Sequence, residues 1–182
     1  MKHTYKWPVL LLCVSLLFLP ACGAEKDGRS EDDYAAFDMH IDNALAMNAR
    51  ITTLPRVYYF AVPCSATEAS DGVQRPIRAM MEPMFRRSSA QMGAYSGMTA
   101  GGFALDESWR ENDGLVNTVS AMAPSGAPSA VFDPDAVEPG IWQVMPTYHG
   151  DHMSLQGGIM KRNDIRPFYL ELLELIDSLP EN

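Results

Sequence analysis

Gly140-Ile141-Trp142-Gln143-Val144-Met145-Pro146-Thr147-Tyr148-His149-Gly150-Asp151-His152 is the stretch on which the reading of this chain turns. Residues 141–145 form a short run of β-branched and aromatic side chains stopped by Pro146, as expected of a strand inside a sheet. A similar run lies upstream at residues 57–62 (VYYFAV), ended by Pro63. Both are predicted to be central strands covered on two faces. Downstream, residues 164–179 place Ile165, Phe168, Tyr169, Leu172, Leu173 and Ile176 three and four apart, the stripe of an amphipathic helix, and Pro180 closes it. Residues 37–50 come close to the same stripe through Phe37, Ile41, Ala44 and Leu45. Asp38 or Asp42 could cap this helix, and Thr52-Thr53-Leu54-Pro55 breaks it.

Between these elements, residues 67–102 are rich in Gly and Met (Met80, Met81, Met84, Met92, Met98) and are expected to form helical fragments and loops. Unbranched Met suits either an adaptable apolar surface or core filling. Residues 115–122 read as a short strand or irregular, and residues 124–140, rich in Pro, Ser and Ala, as a loop. Strand, long excursion, strand, loop and helix predict an α/β fold. Two or three strands cannot be covered on both sides by what the chain supplies, so part of a larger sheet is expected to be missing.

Composition narrows the function classes. The chain has 182 residues, 47% of them apolar, which is enough for one domain with a core and excludes wholesale disorder. Its 14 basic residues against 23 acidic ones give a net charge of −9, and no basic stripe is present to neutralise phosphates, so no nucleic-acid partner is expected. Thirteen Gly and 13 Pro imply many turns without a repeat, and three Cys exclude a disulfide-built scaffold.

The first residues read as an address. Lys2, His3 and Lys6 precede an almost purely apolar run over residues 7–19, well short of the roughly 20 residues of a spanning helix. That is the pattern of a secretory signal. The run ends in Leu19-Pro20-Ala21-Cys22-Gly23, which resembles the bacterial lipobox apart from Pro20. The resemblance implies cleavage before Cys22, lipidation of Cys22, and an extracytoplasmic protein anchored to the bacterial membrane. More than one acyl chain at Cys22 would make that anchor stable. The alternative is an ordinary signal cut near Ala21 and a secreted protein with Cys22 as a thiol. Cleavage leaves 12 basic and 23 acidic residues, net −11, and Cys64 as the free thiol of a lipidated chain. Residues 23–33 are polar and charged and read as a flexible tether. The expected organisation is a signal peptide at 1–21, a tether at 22–33 and a folded domain at 34–182.

Two segments carry candidate chemistry. One is Trp109-Arg110-Glu111-Asn112-Asp113-Gly114-Leu115-Val116; the other is the opening stretch, ending in Asp151-His152. A carboxylate at a Gly turn followed by a His after a late strand has the order of the last two members of an α/β-hydrolase triad, Ser, then acid, then His. There the acid orients the imidazole and stabilises its cation, and the imidazole takes the nucleophile's proton. On spacing alone, plainer readings stand beside this one: Asn-Asp-Gly is an ordinary turn, and a His after a strand is an ordinary surface residue.

The wording around these residues adds to the spacing. WRENDGLV, GIWQV followed by PT, and the Asp-His pair together resemble the staphylococcal and thermostable bacillus-type triacylglycerol lipases. FDMHIDNALAMN leading into PRVYYF, and the closing DIRPFYLELLELIDSL, are similar to that family as well. The resemblance spans residues 33–179 and is weakest over 67–102. It implies the C-terminal portion of an α/β-hydrolase fold, late central strands plus closing helix. It places the triad acid at Asp113 and the triad base at His152. It also implies a structural zinc with Asp33 on one ligand position, but the other ligands lie upstream of anything present. A lone carboxylate cannot hold a tetrahedral zinc, so in this chain alone Asp33 reads as a solvated tether residue. The family's calcium carboxylates, two and seven residues after the His, fall on Ser154 and Ile159, so no calcium site and no cofactor is expected in this chain.

The nucleophile elbow, G-x-S-x-G, does not occur. Ser96, in Gly93-Ala94-Tyr95-Ser96-Gly97, is one place off the pattern; Ser125, Ser129 and Ser154 sit in no elbow, and Ser65 lacks the flanking glycines. The oxyanion-hole loop and the first strands of the fold are missing as well. The expectation is therefore a lipase-like ester-hydrolase domain that keeps Asp113 and His152, inactive alone or one half of a split lipase whose complementing half carries the Ser. The alternative is a lipid-anchored binding lipoprotein that holds acyl lipids in an apolar groove near the Met-rich stretch without cleaving them. A third reading is a plain structural lipoprotein.

Overall fold

Pro63 and Pro146 punctuate two strand runs that lie side by side, and this pairing organises the fold. The structure is a computed structural model that describes residues 35–159 and 164–180. The chain divides into a unit of Met1–His40, of which residues 35–40 are described, and a unit of Ile41–Asn182. The first contains α1 (Ala35–Asp38). The second runs α2 (Ile41–Asn48), β1 (Tyr59–Ala61), β2 (Cys64–Ser65), β3 (Thr67–Ser70), β4 (Val73–Pro76), α3 (Arg86–Ala94), β5 (Gly97–Met98), β6 (Ala104–Leu105), β7 (Ser129–Val131), β8 (Trp142–Val144), β9 (Tyr148–His149) and α4 (Arg166–Ser178).

The main sheet is parallel, in the order β1-β8-β7. Tyr59 lies opposite Trp142 and their rings stack at 4.9 Å, a cross-strand aromatic pair that fixes the register. Proline has no N–H for the ladder, so β1 breaks at Val62-Pro63 and β8 at Met145-Pro146. Pairing then resumes as β2 beside β9, with Cys64 opposite Tyr148 and Ser65 opposite His149. The backbone bonds Met145 N to Ala61 O, Tyr148 N to Pro63 O and Gly150 N to Ser65 O carry the alignment across the break. The two runs thus deliver residues 150–152 and residue 66 to the same carboxyl end of the parallel strands, where open α/β sheets place their sites.

The predicted strand at 141–145 and helix at 164–179 form as β8 and α4. Other expectations need correction. The helix expected over 37–50 is two pieces, interrupted at Met39-His40. The run at 57–62 is not a central strand buried on both faces: β1 is three residues long, lies at an edge of the described sheet, and Val57 is exposed. Residues 67–76, expected as helix or loop, are an antiparallel hairpin, β3-β4. The loop at 124–140 contains β7, and residues 118–121 are a 3-10 turn.

The buried apolar core is small. Ala66, Met81 and Phe85 cluster beneath the strand ends with Met80 and Met153 against them, and Ala61 is buried in β1. Nine polar residues are buried beside them, Asn112, Asp113, Gln143 and Asp151 among them. The interior next to the strand ends is therefore polar, and every such group needs a partner.

Candidate active site

Asp113 sits at the tip of a short loop whose two legs are tied together. Thr118 N donates to Glu111 O at 2.8 Å, Asp113 N donates to Val116 O at 3.0 Å, and the Asn117 side-chain amide donates to the Trp109 carbonyl. Asn112 locks the turn from inside: its amide N–H bonds reach Ser89 O and Arg110 O, and its Oδ1 accepts Gly114 N–H at 3.0 Å. Gly114 is required at the tip. Its φ is +101°, and a Cβ there would lie 2.6 Å from Phe85 Cβ. The loop is pinned to the strand ends by Ala66 N to Asn112 O and by Thr118 Oγ1 to Cys64 O.

His152 follows β9 by three residues and meets Asp113 twice. Its Nδ1 lies 2.9 Å from Asp113 Oδ2, and its backbone N–H donates to Asp113 O, also at 2.9 Å. The other carboxylate oxygen, Oδ1, accepts the backbone N–H groups of Leu115 and Val116 at 2.9 and 2.7 Å. Asp113 is thus held in one rotamer by two donors, leaving Oδ2 for the imidazole. Its side chain is 9% exposed against 37% for His152, so the acid lies behind the base. The Phe85 ring packs edge-on to the imidazole at 6.3 Å. With Nδ1 spent on Asp113, Nε2 is the nitrogen free to exchange a proton.

In the sequence Asp151 stands only as the first half of the Asp-His pair, with no role of its own, and the structure makes it a support for His152. It is 2% exposed. Its carboxylate accepts Glu82 N–H at 2.7 Å, Met153 N–H at 3.1 Å and the Ser154 hydroxyl at 2.9 Å. It therefore fastens the turn that follows His152 and ties it to the segment before α3.

None of the serines considered from the sequence has its hydroxyl hydrogen-bonded to His152 among the described residues. The Ser154 O–H is spent on Asp151, and Ser65 is buried with its hydroxyl 3.5 Å from that of Thr67. Ser96, Ser125 and Ser129 are exposed. Burial, then the charges of Asp113 and Asp151, push the Cys64 thiol up to about 11, which keeps it protonated at neutral pH. Cys22 and Asp33 lie outside the described residues. Among those described, no three His, Cys, Asp or Glu side chains are placed to hold a metal ion. At the expected calcium positions Ser154 turns its hydroxyl to Asp151 and Ile159 is apolar, so the residues present do not fit that ion. Among the described residues, no helix is long and apolar enough to cross a membrane.

The family model for the lipase-like, C-terminal domain matches residues 25–178. Lipase 2 of Staphylococcus aureus is 28% identical over 132 residues, covering 70% of this chain and 18% of that protein. Lipase 1 of Staphylococcus aureus (strain Mu50 / ATCC 700699) is 34% identical over 79 residues, covering 40% of this chain and 12% of that protein. Among solved structures, EstA from Clostridium botulinum superposes with a TM-score of 0.76 at 27% identity, over 85% of this chain and 36% of that one. Staphylococcus hyicus lipase superposes at 0.61 and 22% identity, over 83% and 42%, a likeness of fold. The chain spans less than a fifth of the length of these curated relatives.

Proposed function

This chain belongs to the family of lipase-like C-terminal domains, and from that premise we propose that it carries the acid–base half of a serine-type carboxylic-ester hydrolase of the triacylglycerol lipase kind. In this reading the domain at residues 34–182 is the late-strand and closing-helix portion of an α/β-hydrolase fold. Asp113 is the orienting acid and His152 the general base. The nucleophilic Ser and the oxyanion donors come from a complementing partner, since these 182 residues contain no G-x-S-x-G.

The single observation that carries the reading is the doubled Asp113–His152 contact, side chain to side chain and backbone to backbone, both at 2.9 Å. A surface His beside a turn has no need of either. In the reaction the partner's Ser oxygen bonds to the ester carbonyl carbon and its proton passes to His152 Nε2. The bond to the leaving alcohol then breaks, and that alcohol takes the proton from Nε2. Water repeats the cycle and releases the acid. Asp113 stays ionised and holds the imidazolium formed at each half-step.

Lipidation of Cys22, with residues 22–33 as tether, would hold the domain at the bacterial membrane, where acyl lipids are at hand. The test is an affinity pull-down of the native protein from its source membranes, read by intact mass. The expected result is a lipidated chain with a co-purifying chain that carries a G-x-S-x-G elbow. The pair should turn over a short-chain nitrophenyl ester, and His152→Ala should abolish that turnover. A lone species with no esterase activity in any fraction would overturn the split-enzyme reading. Turnover by the isolated chain that depends on His152 would overturn the claim that the nucleophile is external.

A further inference from the structure

Arg110 stands three residues before Asp113, at the end of the 3-10 turn Glu107–Trp109 that leads into the loop. Its side chain is 16% exposed, and its carboxylate neighbour is a poor partner: Glu107 Oε1 lies 3.5 Å away on a side chain 86% exposed. An ion pair of that kind is worth little. The guanidinium instead spends its donors on main-chain oxygens of two other elements. Its Nη1 donates to Gly72 O, at the tip of the β3-β4 hairpin, at 2.6 Å. Its Nε makes a longer bond, 3.4 Å, to the carbonyl of Tyr95, the residue that caps the end of α3, where a cation is favoured. Those two elements already form one packed block, because α3 lies so close on β4 that a Cβ at Gly93 would collide with Gln74 O. Arg110 thus fastens the entry leg of the loop to a block of helix and hairpin.

From Arg110 the constraint runs inward. Its own carbonyl accepts the Asn112 amide N–H at 2.8 Å, and Asn112 Oδ1 accepts Gly114 N–H at 3.0 Å, so Asp113 is bracketed by bonds that start at Arg110. The Asp113 carboxylate then meets His152 Nδ1 at 2.9 Å, a contact that weakens steeply as its alignment degrades. We propose that Arg110 is a positioning residue for this pair: by holding the carbonyls of Gly72 and Tyr95 it fixes the entry leg of the loop, and through Asn112 it sets the Asp113 carboxylate against the imidazole. A Lys could not do the same. Its ammonium is a point of charge on a flexible stem, whereas the planar guanidinium sends its Nε–H and Nη1–H in fixed, different directions.

The proposal rests on the hydrolase reading only in that it concerns the pair to which that reading assigns the acid–base chemistry. Its test reads the geometry of the pair and needs neither a partner nor turnover, so its failure would leave the hydrolase reading standing. The isotope-labelled full chain is compared with Arg110→Ala by NMR. The variant should lose the downfield His152 Nδ1–H resonance. The Leu115 and Val116 amides, which bond Asp113 Oδ1, should exchange with solvent at least about tenfold faster. The amides of β8 should keep their wild-type rates within about twofold, because the tie concerns the loop and not the sheet. Glu107→Gln should change neither signal. Arg110→Met, which keeps the apolar stem and removes the donors, takes the place of Arg110→Ala if that variant does not fold by circular dichroism. An intact resonance, or loop amides that keep their rates, would overturn the proposal. So would equal acceleration of the loop and β8 amides, which is a general loss of stability. The same losses in Glu107→Gln would also overturn it, because the effect would then belong to the ion pair.

Discussion

Asp151 orders the segment around His152, and Cys64 is a part-buried thiol close to the charges of Asp113 and Asp151. Asp151 accepts three donors in a buried setting. Asp151→Ala leaves the Glu82 and Met153 N–H groups and the Ser154 O–H without their acceptor, and should cost about 3 kcal/mol of stability. Ser154→Ala removes one donor and should cost about 1 kcal/mol. Urea unfolding of the two variants checks this, and equal losses would mean that Asp151 does not act as the hub. For Cys64 the sign is the opposite of a salt-bridged acid's. The folded thiol is raised to about 11 from 9.0, so the folded state holds its proton longer than the unfolded chain does. Its contribution is fully present below pH 9 and is lost between about 9 and 11. The stability difference between wild type and Cys64→Ala should therefore shrink across that window and stay flat below it, a comparison that cancels the other groups titrating there. Alkylation of Cys64 by iodoacetamide at pH 8, followed at its own peptide by mass spectrometry, should be slow in the native chain and fast in urea.

At the scale of elements, the loop at 109–118 is held by its turn geometry, and Gly114 is where that can be tested. Gly114→Ala would place a side chain at φ +101° and against Phe85, at an expected cost of about 2 to 4 kcal/mol. Because Asp113 N–H, Leu115 N–H and Val116 N–H all bond within this turn, the variant should also weaken the His152 Nδ1 contact. Loss of the downfield Nδ1–H resonance in proton NMR would report it, and a variant that keeps both stability and resonance would show that the turn tolerates a Cβ. The elements legible in the sequence were those with an apolar pattern of their own: α4 through its stripe, β8 through Trp142 and Val144. The pair Asp113 and His152 was legible through its order and the words around it. The elements without such a pattern are polar. The strands β3 and β4 read TEAS and VQRP, with no apolar alternation, yet Asp71-Gly72 between them is a two-residue hairpin signal. The structure places both at positive φ, 53° and 77°, as that turn demands. β7 was hidden for the same reason: Ser129, Ala130 and Val131 are all exposed, and an edge strand without a buried face leaves no period to read.

For the whole molecule, apolar surface is badly distributed. Four apolar residues, Ala61, Ala66, Met81 and Phe85, form the buried core among the described residues, while Leu170 and Leu173 of α4 are 58% and 60% exposed and Val131 of β7 is 85% exposed. Among the described residues, α4 buries none of its side chains although it is amphipathic by sequence, and both outer strands of the β1-β8-β7 sheet present an edge. Monomeric proteins seldom leave so much apolar helix and strand edge bare, and such surface invites association. The isolated chain should therefore self-associate at micromolar concentration and melt over a broad range, its negative charge slowing but not preventing contact through α4. The double variant Leu170→Glu/Leu173→Glu should stay monomeric in sedimentation equilibrium and lose no more than about 0.5 kcal/mol, because those side chains contribute little packing where they stand. In the presence of a complementing hydrolase half the same variant should fail to assemble, since α4 would then have a surface to cover. A wild-type monomer with a sharp cooperative melt would show instead that the small polar-lined core suffices. The exposed face of α4 would then be ordinary surface, and the search for a partner would have to begin at the sheet edges.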